Sequence, residues 1–496
     1  MDPQVPTQRA LAIADDKIAG GVGVHERALA SPEVVDLGGR VVLPGFTDSH
    51  VHFPTWALAQ TQIALDGCTS LDEAVARVAA APRTPGRVIR GYGWRSGDWP
   101  EGREPTKEDL DAVTGDTPAA LIAKDYHSLW LNSAALALAG GDLEREGGVV
   151  ERGANGEPTG VLREEAAWQF KEAYLVVPDD EYVEAMRLGI RLANSRGVTA
   201  VHDKDGWLGA IRMWQRLDAM SHPNLRVWQS IPHAMLPHAK ELGLLSGFGG
   251  PNLRLGYLKV FMDGTLGSQT AWMLDGSGVV ITSGEELAEI IVAGAKAGFP
   301  VSVHAIGDGA NRAALDAFER TRDTWATRGL RHRIEHAQVL APEDIARFAA
   351  IGVAASVQFT HATSDRDLAE RYWGDKVAGA YAFRSLLDSG AVLVNGSDAP
   401  IEELDPLAGV RAGVRRTSDD RPAWQPREAL TVHQAFEATC TTPAWLEGAE
   451  RRRGKLIPGQ YADLVVLDRD PYEDLDAQVV ATMISGRWVH NPPPWG

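Results

Sequence analysis

The 496-residue sequence has little cysteine, no long apolar run and no excess of positive charge. Each shortage removes a class of protein. Two cysteines, Cys68 and Cys440, cannot form a disulfide framework for a chain of this length, so both are expected as simple core residues. No stretch reaches the roughly eighteen uncharged apolar residues that a membrane helix requires. The opening MDPQVPTQRALAIADDKIAGG contains no uninterrupted apolar segment of the secretory kind. A soluble, cytoplasmic protein without a membrane partner is therefore expected. With 67 acidic residues against 49 basic ones, the formal charge is −18. Phosphate backbones are bound by clustered Lys and Arg, so a nucleic-acid partner is not expected. The same charge leaves the substrate open, because it reports on solubility and steering. Tandem repeats and low-complexity tracts are missing, and no GxGxxG follows a strand to support a doubly wound dinucleotide-binding sheet.

What is present has the balance of a soluble enzyme: 44% hydrophobic and 23% charged residues exclude the disordered and fibrous classes. The length suits one large domain with an accessory one. Apolar runs and alternation predict eight strands: Val41–His52, Val198–Asp203, Arg226–Ile231, Gly256–Gly264, Pro300–Asp308, Arg331–Gln338, Gly352–Phe359 and Ala391–Pro400. Ala-rich stretches with helical spacing lie between them, among them Gly284–Gly298 and Gly309–Arg328. Strand followed by helix, repeated eight times, predicts an α/β fold of the (β/α)8 TIM-barrel kind over residues 46–449.

About 145 residues separate His52 from Val198, more than one helical connection uses. They contain strand-like pieces, Arg87–Trp94 and Ala119–Lys124, and a glycine-rich patch from Gly140 to Gly160. An inserted subdomain over the barrel mouth is expected at roughly 82–163. Residues before Arg40 read as short strands with turns at Asp15-Asp16, Gly20-Gly21 and Gly38-Gly39, and residues after Gly454 read the same way. Residues 1–45 and 450–496 together predict one small composite β-sandwich.

The sharpest local signal is Asp48-Ser-His50-Val-His52 at the end of the first strand. Side chains two apart on a strand share a face, so the two imidazoles point together toward the barrel mouth, ready to chelate a divalent cation. Alternation in Tyr257-Leu-Lys259-Val-Phe261-Met-Asp263 sends Leu258, Val260 and Met262 to the outer helices and Lys259 and Asp263 inward. A lysine there is costly unless paired or neutral; as a neutral amine it can take up carbon dioxide and become a carbamate anion. An ordinary lysine paired with Asp263 is the plainer alternative. His304, His336 and Asp398 end the fifth, sixth and eighth strands. In Arg333-Ile-Glu335-His336 the alternation is poorer, since a His336 that faces inward would turn Arg333 and Glu335 outward. Singly, each is more often a structural hydrogen-bonding group. A barrel gathers all of these strand ends around one axis, and together they make a metal-ligating set.

The segments LPGFTDSHVH, GYGWRSGDW, DYHSLWLNSAAL, TGVLRE, LKVFMDGTLGSQTA, VHAIGDGANR, RIEHAQ, NGSDAP and PGQYADLVVLDRDP run in order from about Val41 to Asp470. In this they resemble the amidohydrolase superfamily, specifically amidohydrolase family 3, the branch of N-substituted formamide deformylase-like metal-dependent hydrolases. The resemblance implies a (β/α)8 barrel with a two-part β-sandwich. His50 and His52 would bind one metal, His304 and His336 the other, with a carboxylated Lys259 bridging them. Asp398 would bind metal and shuttle the proton. Zinc is the usual occupant, two ions in number, with manganese, iron or a single-metal site left open. Two departures stand out. Tyr126 occupies a position that is commonly glycine, and Gln269 one that is often arginine.

The expected activity is hydrolysis of a C–N bond in an amide, formamide or cyclic amide of a small molecule. An esterase or lactonase would use the same site, and a non-catalytic assembly protein or a metal-dependent isomerase or decarboxylase are further alternatives. His127 is a catalytic candidate because it could hydrogen-bond a carbonyl. Trp94, Asn132, Asp308, Arg312 and Gln358 are substrate-binding candidates because they sit in or near motif segments that should border the mouth. Trp99 and Trp130 could wall the pocket, although with 15 tryptophans most must lie elsewhere. Homodimers are common among such relatives.

Overall fold

A computed structural model describes residues 7–20, 33–84, 86–207, 209–220 and 224–493. Half of the Gly20-Gly21 turn expected from the sequence lies outside these residues. The chain divides into two compact units, one of residues 1–53 with 188–496 and the other of residues 54–187.

The first unit starts with a hairpin, β1 (Ala12–Ala14) and β2 (Lys17–Gly20), followed by β3 (Val41–Pro44) and β4 (Phe46–Val51). The sequence suggests one strand from Val41 to His52, but the chain changes sheets at Gly45. A side chain there would strike Thr199 at 2.3 Å, so only glycine lets β3 and β4 diverge this closely against the neighbouring strand.

The second unit carries β5 (Ile63–Ala64), β6 (Ile89–Trp94), β7 (Ala119–Ala123), β8 (Ser128–Leu131), β9 (Gly148–Arg152) and β10 (Pro158–Glu164). They form one sheet in the order β5-β6-β7-β8-β10-β9. This unit extends past the expected 82–163 at both ends. On one side β5 pairs with β6, and Leu71, Ala74 and Val78 of helix Leu71–Ala80 complete its core. On the other, Ala166, Ala167 and Phe170 of helix Glu165–Tyr174 seal the opposite face.

The barrel resumes with β11 (Val198–Asp203), β12 (Arg226–Pro232), β13 (Leu253–Phe261), β14 (Val301–Ala305), β15 (Arg333–His336), β16 (Ala354–Val357) and β17 (Leu393–Asn395). Helices α1 (Ala210–Met220), α2 (Leu236–Glu241), α3 (Gly284–Lys296), α4 (Asp308–Arg320), α5 (Pro342–Ile351), α6 (Phe383–Asp388) and α7 (Pro406–Arg415) follow these strands in turn. The eight strands pair in parallel in the order β17-β16-β15-β14-β13-β12-β11-β4, which is a (β/α)8 barrel. At the seam the Asp398 amide donates to the His50 carbonyl at 2.7 Å, and the His52 amide donates to the Ala399 carbonyl at 2.8 Å. Leu258, Val260, Val301, Val303 and Ile334 turn outward into the helix layer, where they are buried with Leu287, Ile291, Leu315 and Phe318.

After the barrel come β18 (Leu464–Leu467), β19 (Val479–Ile484) and β20 (Arg487–His490), in the antiparallel order β20-β19-β18-β3. The hairpin strand β2 also reaches this end, with Ile18 bonded through its amide to Gln460 and buried beside Leu464, Val466 and Met483. Both ends of the chain thus share one small core. Among the described residues no helix is long and apolar enough to cross a membrane.

One buried histidine ties β14 to β15. His332 accepts the Val301 amide on Nδ1 at 2.9 Å, and its ring lies between Phe318 and Trp325. Burial pushes its pKa down to about 3. Below pH 6.5 the unfolded chain gains a proton that the folded chain refuses, so this group's stabilisation is complete above that value and drains away as pH falls toward 3. Urea midpoints of the wild type and His332→Asn, measured between pH 6.5 and 4, should differ in slope by one proton, about 1.4 kcal/mol per pH unit. Parallel slopes would reject this account.

Candidate metal centre and the charge beneath it

The histidines at the strand ends form a tight cluster within the first unit. Ring centroids are 5.7 Å apart for His50 and His52, 4.8 Å for His50 and His336, and 4.5 Å for His304 and His336. Asp398 is drawn into the same group. Its Oδ1 lies 3.2 Å from His50 Nε2 and 3.6 Å from His52 Nε2, and its Oδ2 lies 3.9 Å from His336. Candidate ligand atoms of His50, His52 and Asp398 all fall within 4.8 Å of one another, as do those of His336, His361 and Asp398.

Each imidazole has one nitrogen fixed from outside. His50 Nδ1 donates to Glu335 Oε2 at 2.7 Å, His52 Nδ1 to Asp205 Oδ1 at 2.7 Å, and His336 Nδ1 to Gln358 Oε1 at 2.8 Å. His304 is held the other way, Nε2 donating to the Gly264 carbonyl at 3.0 Å. A proton fixed on the outer nitrogen leaves a lone pair on the inner one, the arrangement that orients histidine toward a metal. His50 Nε2 and Lys259 Nζ are buried with no hydrogen-bond partner. Burial, with His304 next in effect, holds His336 well below the usual histidine range and keeps it neutral. Burial alone would raise the Asp398 carboxyl, but His50, His336 and His52 outweigh it and hold it well below the usual range. A neutral His336, an ionised Asp398 and orphaned inward atoms fit a divalent cation.

Lys259 stands on β13 with its amine 4.6 Å from the Phe261 ring centroid. Burial lowers its pKa, against the pull of Glu335 and Asp398. Asp263 is not its ion-pair partner. That carboxylate instead accepts the amides of Trp272, Ile306 and Gly307, and burial pushes its pKa up to about 7.

Beneath the histidines lies a group that alternation had turned outward. Glu335 is fully buried, holding His50 on one oxygen, while Lys204 at 2.9 Å and Arg333 at 2.7 Å approach the other and Ser302 hydrogen-bonds to it. Burial would raise this carboxyl, yet Arg333, His50 and Lys259 hold it well below its ordinary value. The correction has a local cause. Glu335 faces the barrel interior, and a positive φ of 72° at His336 reverses the alternation and brings that ring inward as well. Lys204, Asp205 and His361 were also missed, although the charged run His-Asp-Lys-Asp at the end of β11 is the kind of strand-end signal that marked the other candidates. Gln338 Nε2 donates to His361 Nδ1 at 3.1 Å, so His361 presents an Nε2–H, 3.9 Å from Asp398.

Other candidates are engaged elsewhere. Arg312 on α4 pairs with Asp344 and Glu343 of α5 in the outer helix layer. Asp308 caps the Leu274 amide at 2.8 Å and faces Lys376. In the second unit, Asn132 caps helix Ser133–Leu136 and donates to Thr114 and Thr117. Trp94 is buried against Trp99 and Trp130, its indole donating to the Leu121 carbonyl. His127 donates through Nδ1 to Glu164 at 2.7 Å and packs edge-on to Trp168. Tyr126 adopts φ of 62°, a left-handed backbone shape that glycine takes freely and tyrosine rarely.

Comparison with known proteins gives consistent matches. A profile of the Amidohydrolase family matches residues 33–490. Protein LONG AFTER FAR-RED 3 of Arabidopsis thaliana is 32% identical over 92% of this chain and 83% of its own length. The N-substituted formamide deformylase of Arthrobacter pascens is 28% identical over 98% of this chain and 95% of its own. The crystal structure of an uncharacterized metal-dependent hydrolase from Pyrococcus furiosus superposes with a TM-score of 0.77 at 29% identity, covering 93% of this chain and 95% of that one.

Replacing Glu335 by glutamine keeps the shape and removes the charge that offsets Lys204 and Arg333. Breaking a buried pair this way costs about 3–5 kcal/mol. Urea denaturation of Glu335→Gln should show a loss of that size, and a loss below about 1 kcal/mol would mean the two cations find other compensation.

Proposed function

The chain belongs to the amidohydrolase family of metal-dependent hydrolases, and from that premise we propose that it cleaves a C–N bond of a small amide, formamide or cyclic amide. The observation that carries this reading is a cluster of four imidazoles, each with one nitrogen engaged, three of them gathered about one ionised carboxylate. The similarity to a formamide deformylase supports the bond type.

His50 and His52 would hold one cation, and His304 and His336 the other. Zinc is the occupant best matched to imidazole and carboxylate donors. Lys259, buried without a partner and with a lowered pKa, would add carbon dioxide through its neutral amine, losing a proton to become a carbamate that would join the histidines in holding metal. When bound, such ions supply Lewis acidity that activates water and polarises the carbonyl. Asp398 would accept the proton of the attacking water on its carboxylate and deliver it to the leaving nitrogen as the C–N bond breaks. An amide nitrogen leaves poorly until protonated, which makes this transfer decisive for amides. Glu335, Asp205 and Gln358 act as positioning residues, holding the rings of His50, His52 and His336.

Metal analysis of the purified full chain should find about two divalent ions per molecule, and stringent chelation should abolish turnover that zinc then restores. Asp398→Asn should lower kcat on the best amide of a panel by about a hundred- to ten-thousandfold. Hydrolysis of esters or lactones with no amide turned over would replace the C–N assignment by that alternative. Full activity in Asp398→Asn would remove the proton shuttle.

A further inference from the structure

The barrel has a second polar cleft at its other end. Arg226 opens β12 and Arg254 lies at the start of β13, whereas Lys259 sits toward the finish of β13. In a parallel barrel the strand starts share one face, opposite the face of the metal centre. There Arg226, Trp228, Arg254, Glu447, Arg452 and Tyr461 line a small cleft that opens to solvent. Arg453 lines it too.

The guanidinium groups are not equally engaged. Arg226 is a finished wall: it bonds Asp463 through Nε and Nη2, Ser485 through Nη2, and Pro251 and Asn252 through Nη1, with its plane 4.0 Å from the Tyr461 ring centroid. Arg453 bonds Glu447 through Nε and Thr47 through Nη1, but its Nη2 is buried with no partner. The Trp228 indole N–H is also buried without one. Arg254 donates only to the carbonyls of Gly250 and Gly247 and meets no carboxylate among the described residues. Arg452 makes no side-chain hydrogen bond or ion pair among them. Glu447, the acidic residue in the lining, is already bonded to Arg453 and lies 3.5 Å from His202. Burial and the nearby Arg452 lower the Arg254 pKa, and the pull of Glu447 does not outweigh them.

A chain with a net charge of −18 has carboxylates to place beside these arginines, yet among the described residues no carboxylate bonds Arg254 or Arg452, and Glu447 is taken by Arg453. Guanidinium forks with free donors match the oxygens of phosphate. The cleft is too small for a macromolecule and lies at the opposite end of the barrel from the metal ligands. We propose that it is a binding site for a phosphate group, free or on a small phosphomonoester, held by Arg254, Arg452 and Arg453 and separate from the metal centre.

The test is calorimetric titration of the metal-loaded full chain with inorganic phosphate, with glycerol phosphate, and with chloride at matched ionic strength. Saturable binding of either phosphate compound and none of chloride is expected, and the tighter of the two identifies the source. At about a hundred times the dissociation constant, Tm should rise by about 3 °C. Phosphate can also ligate a metal, so the titration is repeated on two variants. Arg254→Ser with Arg452→Ser should weaken binding at least tenfold, whereas Asp398→Asn should leave this site's affinity unchanged. Arg452→Ser alone, at a half-buried residue with no internal partner, serves if the double variant does not fold. Phosphate heats equal to those of chloride, or unaltered phosphate affinity in the arginine variants, would overturn the proposal.

Discussion

A single carboxylate in the middle of the barrel, Glu335, reconciles demands that would otherwise conflict. Lys204 and Arg333 are fully buried cations, and a buried charge without a partner is among the costliest features a fold can carry. Both approach one oxygen of Glu335, while the other orients His50. The same anion thus neutralises the barrel's centre and fixes the tautomer of an imidazole in the rim above. Below it, Arg333 reaches His202 at 3.2 Å, and burial pushes the pKa of His202 down to about 4. The interior of this barrel is a ladder of charge and hydrogen bonds where other barrels stack apolar layers.

Much of the architecture was legible because its signals are local. The strand Val198–Asp203 has the bounds that its apolar run suggests, and the gathering of the candidate ligands at one end of the barrel follows from its parallel geometry. Glu335 escaped because the reversal at His336 is a backbone event, and strict alternation puts the two neighbours on opposite faces. Lys204 and Asp205 escaped because they lie just past a strand end, where alternation no longer applies.

The second unit was the least legible part. Its strand β5 is two residues long, too short for any periodic signal, and only its pairing with β6 shows where the unit begins. Motif residues there proved to have architectural roles. Asn132 precedes Ser-Ala-Ala at the start of a helix, and that pattern was itself a sufficient sign of an N-cap. Trp94 and Trp130 face one another in a core, as large aromatics usually do.

The seam between β17 and β4 carries a consequence for assembly. The segment that brings Asp398 also closes the barrel, through the bonds between Asp398 and His50 and between His52 and Ala399. Gly396 fits there because a side chain would meet the His50 amide at 2.3 Å. A nascent chain that has made its first seven strands therefore has four imidazoles but neither the carboxylate among them nor a finished ring of strands. Docking the last strand and completing the candidate cation site are thus one event.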